Sequence, residues 1–174
     1  MIETEASVDP IWPGDTDWEA LAARAVSAAL AVSAQGSLAD ARFTVSVSVH
    51  FGTDDEVQAL NRDYRHKDKP TNVLSFPMLT ADEFESLTPD GPPEMFGDLA
   101  LASETCAREA AEKAIPIEDH TAHLIVHGML HLAGYDHETS DEDAEEMEAL
   151  EVKILARLGV ADPYDASNAI KRDS

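Results

Sequence analysis

The residues best equipped for chemistry crowd into one stretch, His127-Gly128-Met129-Leu130-His131-Leu132-Ala133-Gly134-Tyr135-Asp136-His137. Residues four apart on a helix lie one turn above the other on the same face, so His127 and His131 point the same way. Gly134 supplies the permissive backbone on which a helix ends, and the chain then turns back to bring His137 towards the same point. Three neutral imidazoles leave a fourth position open, which is the arrangement of a catalytic rather than a structural zinc. No cysteine lies in the stretch, so a closed thiolate site is excluded there. A histidine pair at this spacing also arises by accident on helices; the glycine and the third histidine at set offsets are what make it a metal-binding pattern.

The helix context agrees with a metal. Ala122, Leu124, Ile125, Val126, Met129, Leu130, Leu132 and Ala133 make it apolar on most sides. Such a helix is buried, and polar rings inside it need compensation that a metal supplies. The spacing also matches the metzincin peptidase pattern, except that Gly128 stands where those enzymes carry their glutamate general base. That departure speaks against ordinary peptide hydrolysis. His123 shares the face of His127 and His131, yet eight residues of helix rise about 12 Å, too far for His123 and His131 to bind one ion. It reads as a groove or supporting residue, and His120 and His66 as incidental. Asp136, beside a ligand, either orients an imidazole or serves the turn.

The elements that must position this stretch follow from hydrophobic period and breakers. Ile2 to Val8 reads as an edge strand, ended by Asp9-Pro10 and Pro13-Gly14. Thr16-Asp17-Trp18-Glu19 is a capping box for a helix to about Ala34, with Gly36 as its stop. From Arg42 to Phe51 the alternation is clean, with Phe43, Val45, Val47, Val49 and Phe51 on one face, and His50 on the polar, solvated one. Thr53 or Asp54 caps a helix to about Tyr64, with Val57, Leu60 and Tyr64 as its buried stripe. Val73 to Phe76 and Gly97 to Ala102 are short strands separated by a mobile loop at 80–96. Ser103 opens a helix to about Ala114, and the histidine helix runs from about Ile117 to Ala133. Ser140 opens the last helix, to about Leu158. Met147, Leu150, Ile154 and Leu158 form its apolar stripe, so the acids among Glu138 to Glu151 read as a solvated face. The fold class is therefore α/β (α+β): a single domain over residues 1–164, with a small mixed four-stranded sheet, about five covering helices and the histidine helix central. Residues 165–174 read as a loose C-terminal tail.

Composition narrows the setting. The chain has 174 residues and a net charge of −23, enough length for a real core. Its first residues carry no basic and apolar leader pattern, and no apolar run is long enough to span a bilayer. One cysteine, Cys106, excludes an internal disulfide and fits a reducing cytoplasm. So acidic a chain repels a phosphate polymer at long range. However, Arg62, Arg65, Lys67 and Lys69, a third of its twelve basic residues, fall within eight positions.

With the basic loop and the histidine segment together, the sequence resembles the YbeY family of bacterial metal-dependent endoribonucleases, the ribosomal RNA maturation factors. The resemblance rests on Leu60 through Pro77, Gly97-Asp98-Leu99, His127 through His137, and Glu145 through Glu151. It implies one zinc per chain held by His127, His131 and His137. It implies single-strand-specific phosphodiester cleavage in 16S ribosomal RNA 3′-end maturation and in ribosome quality control. The implied partners are single-stranded rRNA, the ribosomal small subunit, ribosomal proteins and the Era GTPase, in the cytoplasm and not at a membrane. The family's essential arginine corresponds to Arg65, whose guanidinium suits the charge that builds on a phosphodiester, with Lys67 and Lys69 for flanking phosphates. Zinc lowers the pKa of its water towards ~7, which gives a nucleophile without a glutamate base; the RNA 2′-OH is the other candidate. Two readings compete: a metzincin-like metallopeptidase lacking its base, and a non-catalytic ribosome-assembly protein with a structural zinc.

Overall fold

A computed structural model describes residues 2–33, 44–87, 91–135 and 140–164. Its elements in chain order are β1 (Ile2–Val8), α1 (Trp18–Val32), β2 (Val45–Gly52), α2 (Asp54–Arg65), β3 (Val73–Pro77), α3 (Ala81–Glu85), β4 (Glu94–Ala102), α4 (Ser103–Lys113), α5 (Ile117–Leu132) and α6 (Asp141–Arg157). The four strands form one sheet in the order β1-β2-β4-β3. β1, β2 and β4 run parallel and β3 antiparallel. This is the small mixed sheet that the alternation and the intervening helices imply. Among the described residues no helix is long and apolar enough to cross a membrane.

Strand alternation divides the core. Val45, Val47, Val49 and Phe51 of β2 join Phe96, Leu99 and Leu101 of β4 on one face, against Trp18, Leu21 and Leu30 of α1 and Ile125, Met129 and Leu130 of α5. Met147, Ile154 and Leu155 of α6 complete that cluster. The other face carries a much smaller one, Leu74, Ala100 and Ala102 under Val57 of α2, with Leu60 and Phe76 at its margin. Apolar area removed from water scales with cluster size, so α5 is anchored deeply and α2 is a thin cover. Gly128 lets α5 approach the sheet closely: a Cβ there would lie 2.7 Å from Leu99 Cδ2.

Several local expectations need correction. Asp17, not Thr16, caps α1 by accepting from Ala20 N–H, while the Thr16 hydroxyl donates to Glu118 Oε1 at 2.7 Å. The 80–96 segment holds α3, with a Thr80 and Glu83 capping box, and the start of β4. Phe84 of α3 meets Phe96 edge to face at 5.1 Å, an apolar anchor that the density of prolines and acids hides. Between Ser46 and Val47 the β2–β4 register shifts past Phe96, which turns that ring into the core. Tyr64 is 69% exposed rather than part of the buried stripe of α2. His50 is half-exposed as expected, but bonded, to Ser7 at 2.7 Å and Glu56 at 2.9 Å. Phe43, Gly36 and the tail at 165–174 lie outside the described residues.

Candidate metal centre

α5 begins after Pro116, with Glu118 and Asp119 in its first turn, where negative charge suits the positive end of the helix dipole. It ends as the glycine predicts. Gly134 adopts φ 104°, its N–H reaches the His131 carbonyl, and the Tyr135 N–H reaches the Leu130 carbonyl at 3.0 Å. These two bonds are the pair of a Schellman turn. The turn has a chemical consequence, because it sets the Tyr135 carbonyl 2.9 Å from His131 Nδ1.

A carbonyl only accepts, so His131 donates to it through Nδ1 and turns Nε2 the other way. His127 is fixed in the same way from another element. Its Nδ1 lies 2.8 Å from Glu151 Oε1 on α6. Burial pushes the Glu151 pKa up, but hydrogen bonds from His123 and His127 outweigh it and bring the group down to about 2. That carboxylate is an acceptor, so His127 donates to it through Nδ1 and turns its Nε2 towards His131. The two Nε2 atoms stand 3.1 Å apart with the rings nearly perpendicular. Two imidazole nitrogens turned to one point at that distance are bridged either by a shared proton or by a metal cation. Tetrahedral zinc with bonds of 2.0–2.1 Å separates its nitrogens by about 3.3 Å, so the donor pair fits such an ion. His137 and Asp136 lie outside the described residues, and among the described residues no three His, Cys, Asp or Glu side chains are grouped to hold a metal ion.

Arg65 stands at the C-terminal end of α2. His66 ends that helix in the left-handed region at φ 60°, and its N–H returns to the Arg62 carbonyl. Buried Asn61 then pins the basic loop, donating through Nδ2 to the Lys69 carbonyl at 2.9 Å while its own carbonyl accepts from Lys67 N–H. Gln58 holds Asp68 at 3.0 Å. Arg65, Lys67 and Lys69 are all exposed. The Arg65 guanidinium donates to the Ser75 carbonyl on β3 at 2.8 Å and lies 6.0 Å from the Phe76 ring centre. β3 is therefore the element between the two halves: α2 and α5 both pack against it.

A family model described as "Endoribonuclease YbeY" matches residues 14–159. The chain belongs to the YbeY endoribonuclease family. Relatives bearing that name share 58% identity over 153 residues in Erythrobacter litoralis, covering 88% of this chain and 92% of that one. In Novosphingobium aromaticivorans the identity is 53% over 161 residues, covering 92% and 94%. The solution structure of TM1509 from Thermotoga maritima has the same fold, at a TM-score of 0.56 and 24% identity over all of this chain and 97% of that one. Both the histidine helix and the basic loop fall inside the YbeY match, and Tyr164 falls beyond it.

Two residues beside the pair, Glu151 and Tyr164, escape a reading of the sequence alone, whereas His123 is the supporting residue expected. Glu151, expected on a solvated face, is 1% exposed. A signal for it exists: it sits four after Met147 and three before Ile154, on the apolar stripe itself. Tyr164, at the edge of the supposed tail, donates to Glu151 Oε2 at 2.8 Å. His123 Nε2 lies 3.3 Å from Glu151 Oε1 and 3.2 Å from the Tyr164 hydroxyl. His120 is buried and engages Glu109 Oε1 at 2.9 Å, which Asn72 Nδ2 also reaches at 3.1 Å, so it is a structural ring rather than an incidental one. Cys106 is buried beside this cluster, and burial first, then Glu109, push its thiol up to about 12.

Proposed function

We propose that this chain is a zinc-dependent, single-strand-specific endoribonuclease acting in 16S rRNA 3′-end maturation and ribosome quality control. The observation that carries the reading is the convergence of the His127 and His131 Nε2 atoms, 3.1 Å apart, with each ring held at Nδ1 by an acceptor behind it. His137 is the third ligand in this reading. Bound there, zinc supplies Lewis acidity, lowering the pKa of water and offsetting charge on phosphate oxygens.

The chain's own residues do the rest. Arg65 turns its guanidinium from the Ser75 carbonyl to the scissile phosphate, where a planar fork meets two oxygens. Lys67 and Lys69, on a loop held in shape by Asn61, take flanking phosphates. Tyr64, next to Arg65 and edge-on to Phe76 at 5.6 Å, offers an unpaired base a ring face, which a base locked in a duplex cannot use. The remaining surface is acidic, so RNA is steered to this one basic loop; the small subunit, with ribosomal proteins and the Era GTPase, presents the substrate in the cytoplasm. Gly128 speaks against the peptidase reading. A glutamate there would have to displace Leu99 from the core before it could act as a base.

The test joins metal content to two assays on the same protein, cleavage of an unstructured RNA and cleavage of casein. About one zinc per chain with RNA cleavage alone is the expected result. Casein cleavage would restore the peptidase, and zinc with neither activity would leave the non-catalytic assembly protein. An RNA carrying 2′-deoxy substitution at the cut position separates the two nucleophiles.

A further inference from the structure

Glu151 is a buried carboxylate with three donors around it, drawn from two parts of the chain. His123 and His127 come from successive turns of α5, and Tyr164 comes from the segment after α6. The arrangement is ordered from the outside inwards. The Tyr164 hydroxyl gives its proton to Oε2, accepts from His123 Nε2, and stands edge-on to the His123 ring at 5.5 Å. Oε2 is thereby occupied, which leaves Oε1 for His127 Nδ1. Both oxygens of the carboxylate are engaged, so the group is held against rotation.

We infer that Glu151 is the positioning residue of the metal centre and that Tyr164 is the clasp that holds it. Glu151 accepts the His127 Nδ1 proton in a hydrogen bond, which orients the ring with Nε2 towards His131, and its charge would strengthen that nitrogen as a donor to a cation. Replacing the carboxylate by an amide keeps an acceptor for His127 but removes the charge, and sets an NH2 group against the Tyr164 hydroxyl. The clasp makes metal retention depend on a residue past the end of the YbeY match. This inference rests on the zinc reading above, and it concerns affinity, not turnover.

The test is a competition titration of the full-length, metal-free protein with Zn2+ against a chromophoric chelator at neutral pH. Melting of the metal-free protein and the His127 tautomer, read by long-range proton–nitrogen NMR, are measured on the same samples. Glu151→Gln should bind zinc about 10- to 100-fold more weakly, the usual loss when an orienting partner is altered. Its metal-free melting temperature should fall as well, because a carboxylate whose folded pKa is depressed stabilises the fold through its charge, so the loss of zinc affinity beyond that of Tyr164→Phe is the reading that counts. Tyr164→Phe, which keeps the ring, should weaken zinc by about 2- to 10-fold, the worth of one hydrogen bond, with the same tautomer still dominant. Wild-type zinc affinity in both variants would overturn the inference and leave the zinc reading standing. So would a fall in metal-free melting temperature without loss of affinity, the mark of a purely structural group. If Glu151→Gln does not fold, Tyr164→Phe decides alone. A wild-type protein with no affinity for zinc would overturn the reading beneath it.

Discussion

His127 and His131 stand on a helix buried along most of its length, and each ring is gripped at its second nitrogen. Arg65 stands on an exposed helix end, held by one bond to a carbonyl and by its approach to Phe76. The first region rests on the large cluster of α1, α5 and α6, the second on the few residues beneath α2. On the function proposed above, the contrast suits what each group would do. Neutral imidazoles make an ion site only when tautomer and orientation are fixed beforehand, whereas a cation meeting a polymer needs freedom to follow it. Half-buried donors and an exposed charge are joined across one short strand, β3.

Substitutions can break this contrast. The largest effect is expected from His131→Ala, which should cost at least roughly 100-fold in zinc affinity, more than an orienting partner would. Cleavage should fall to background, and zinc content with single-turnover cleavage of a single-stranded RNA measures both. Next comes Arg65→Ala. Zinc and fold should persist, and cleavage should fall by about two to three powers of ten, or about 2.7–4 kcal/mol. Arg65→Lys should recover little, because a point charge cannot make the paired contact. Wild-type cleavage by folded Arg65→Ala would dissolve the contrast altogether.

A smaller loss tests the rigid side. Gly128→Ala places its Cβ against Leu99 in a packed core, which costs about 1–3 kcal/mol, partly offset by better helix propensity. Thermal melting should show a drop of a few degrees, larger than for exposed changes on α2. The smallest effect concerns Glu109. Burial raises its pKa, but hydrogen bonds from His120 and Asn72 outweigh this and lower it from the usual 4.5. A carboxylate with a depressed folded pKa adds stability that is present above its unfolded value and lost as pH falls through the folded one. Melting temperature should therefore decline below about pH 4.5 in wild type, and less steeply in Glu109→Gln.

Much of the rigid side is legible in the sequence because its signals are local. The i,i+4 histidines, Gly134 in the turn and the period-two run of β2 each depend on neighbours within one or two turns of chain. The adaptable side is less legible. Tyr64 has helical spacing from Val57 and Leu60, but α2 extends past the small cluster beneath it, and the ring is left at the surface. Glu151 shows the converse. In a run of acids, composition points to solvent, and only its register with Met147 and Ile154 betrays that one acid faces inwards. What draws it in lies in α5 and at Tyr164, far away in sequence. The helix at Ala81–Glu85 is hidden for a third reason, since one turn is too short for a period to emerge.

The Ser75 carbonyl that receives Arg65 lies on β3, which is an outer strand of the sheet. Open strand edges invite pairing with other chains, and proteins blunt them with charge, proline and brevity. β1, at the opposite edge, presents exposed Glu3 and Glu5. β3 has five residues, closes on Pro77 and carries a guanidinium across its flank. At rest, then, Arg65 also guards against self-association. An Arg65 that leaves for a phosphate uncovers a carbonyl of that edge, and the strand's shortness and its proline keep the vacancy from recruiting another chain.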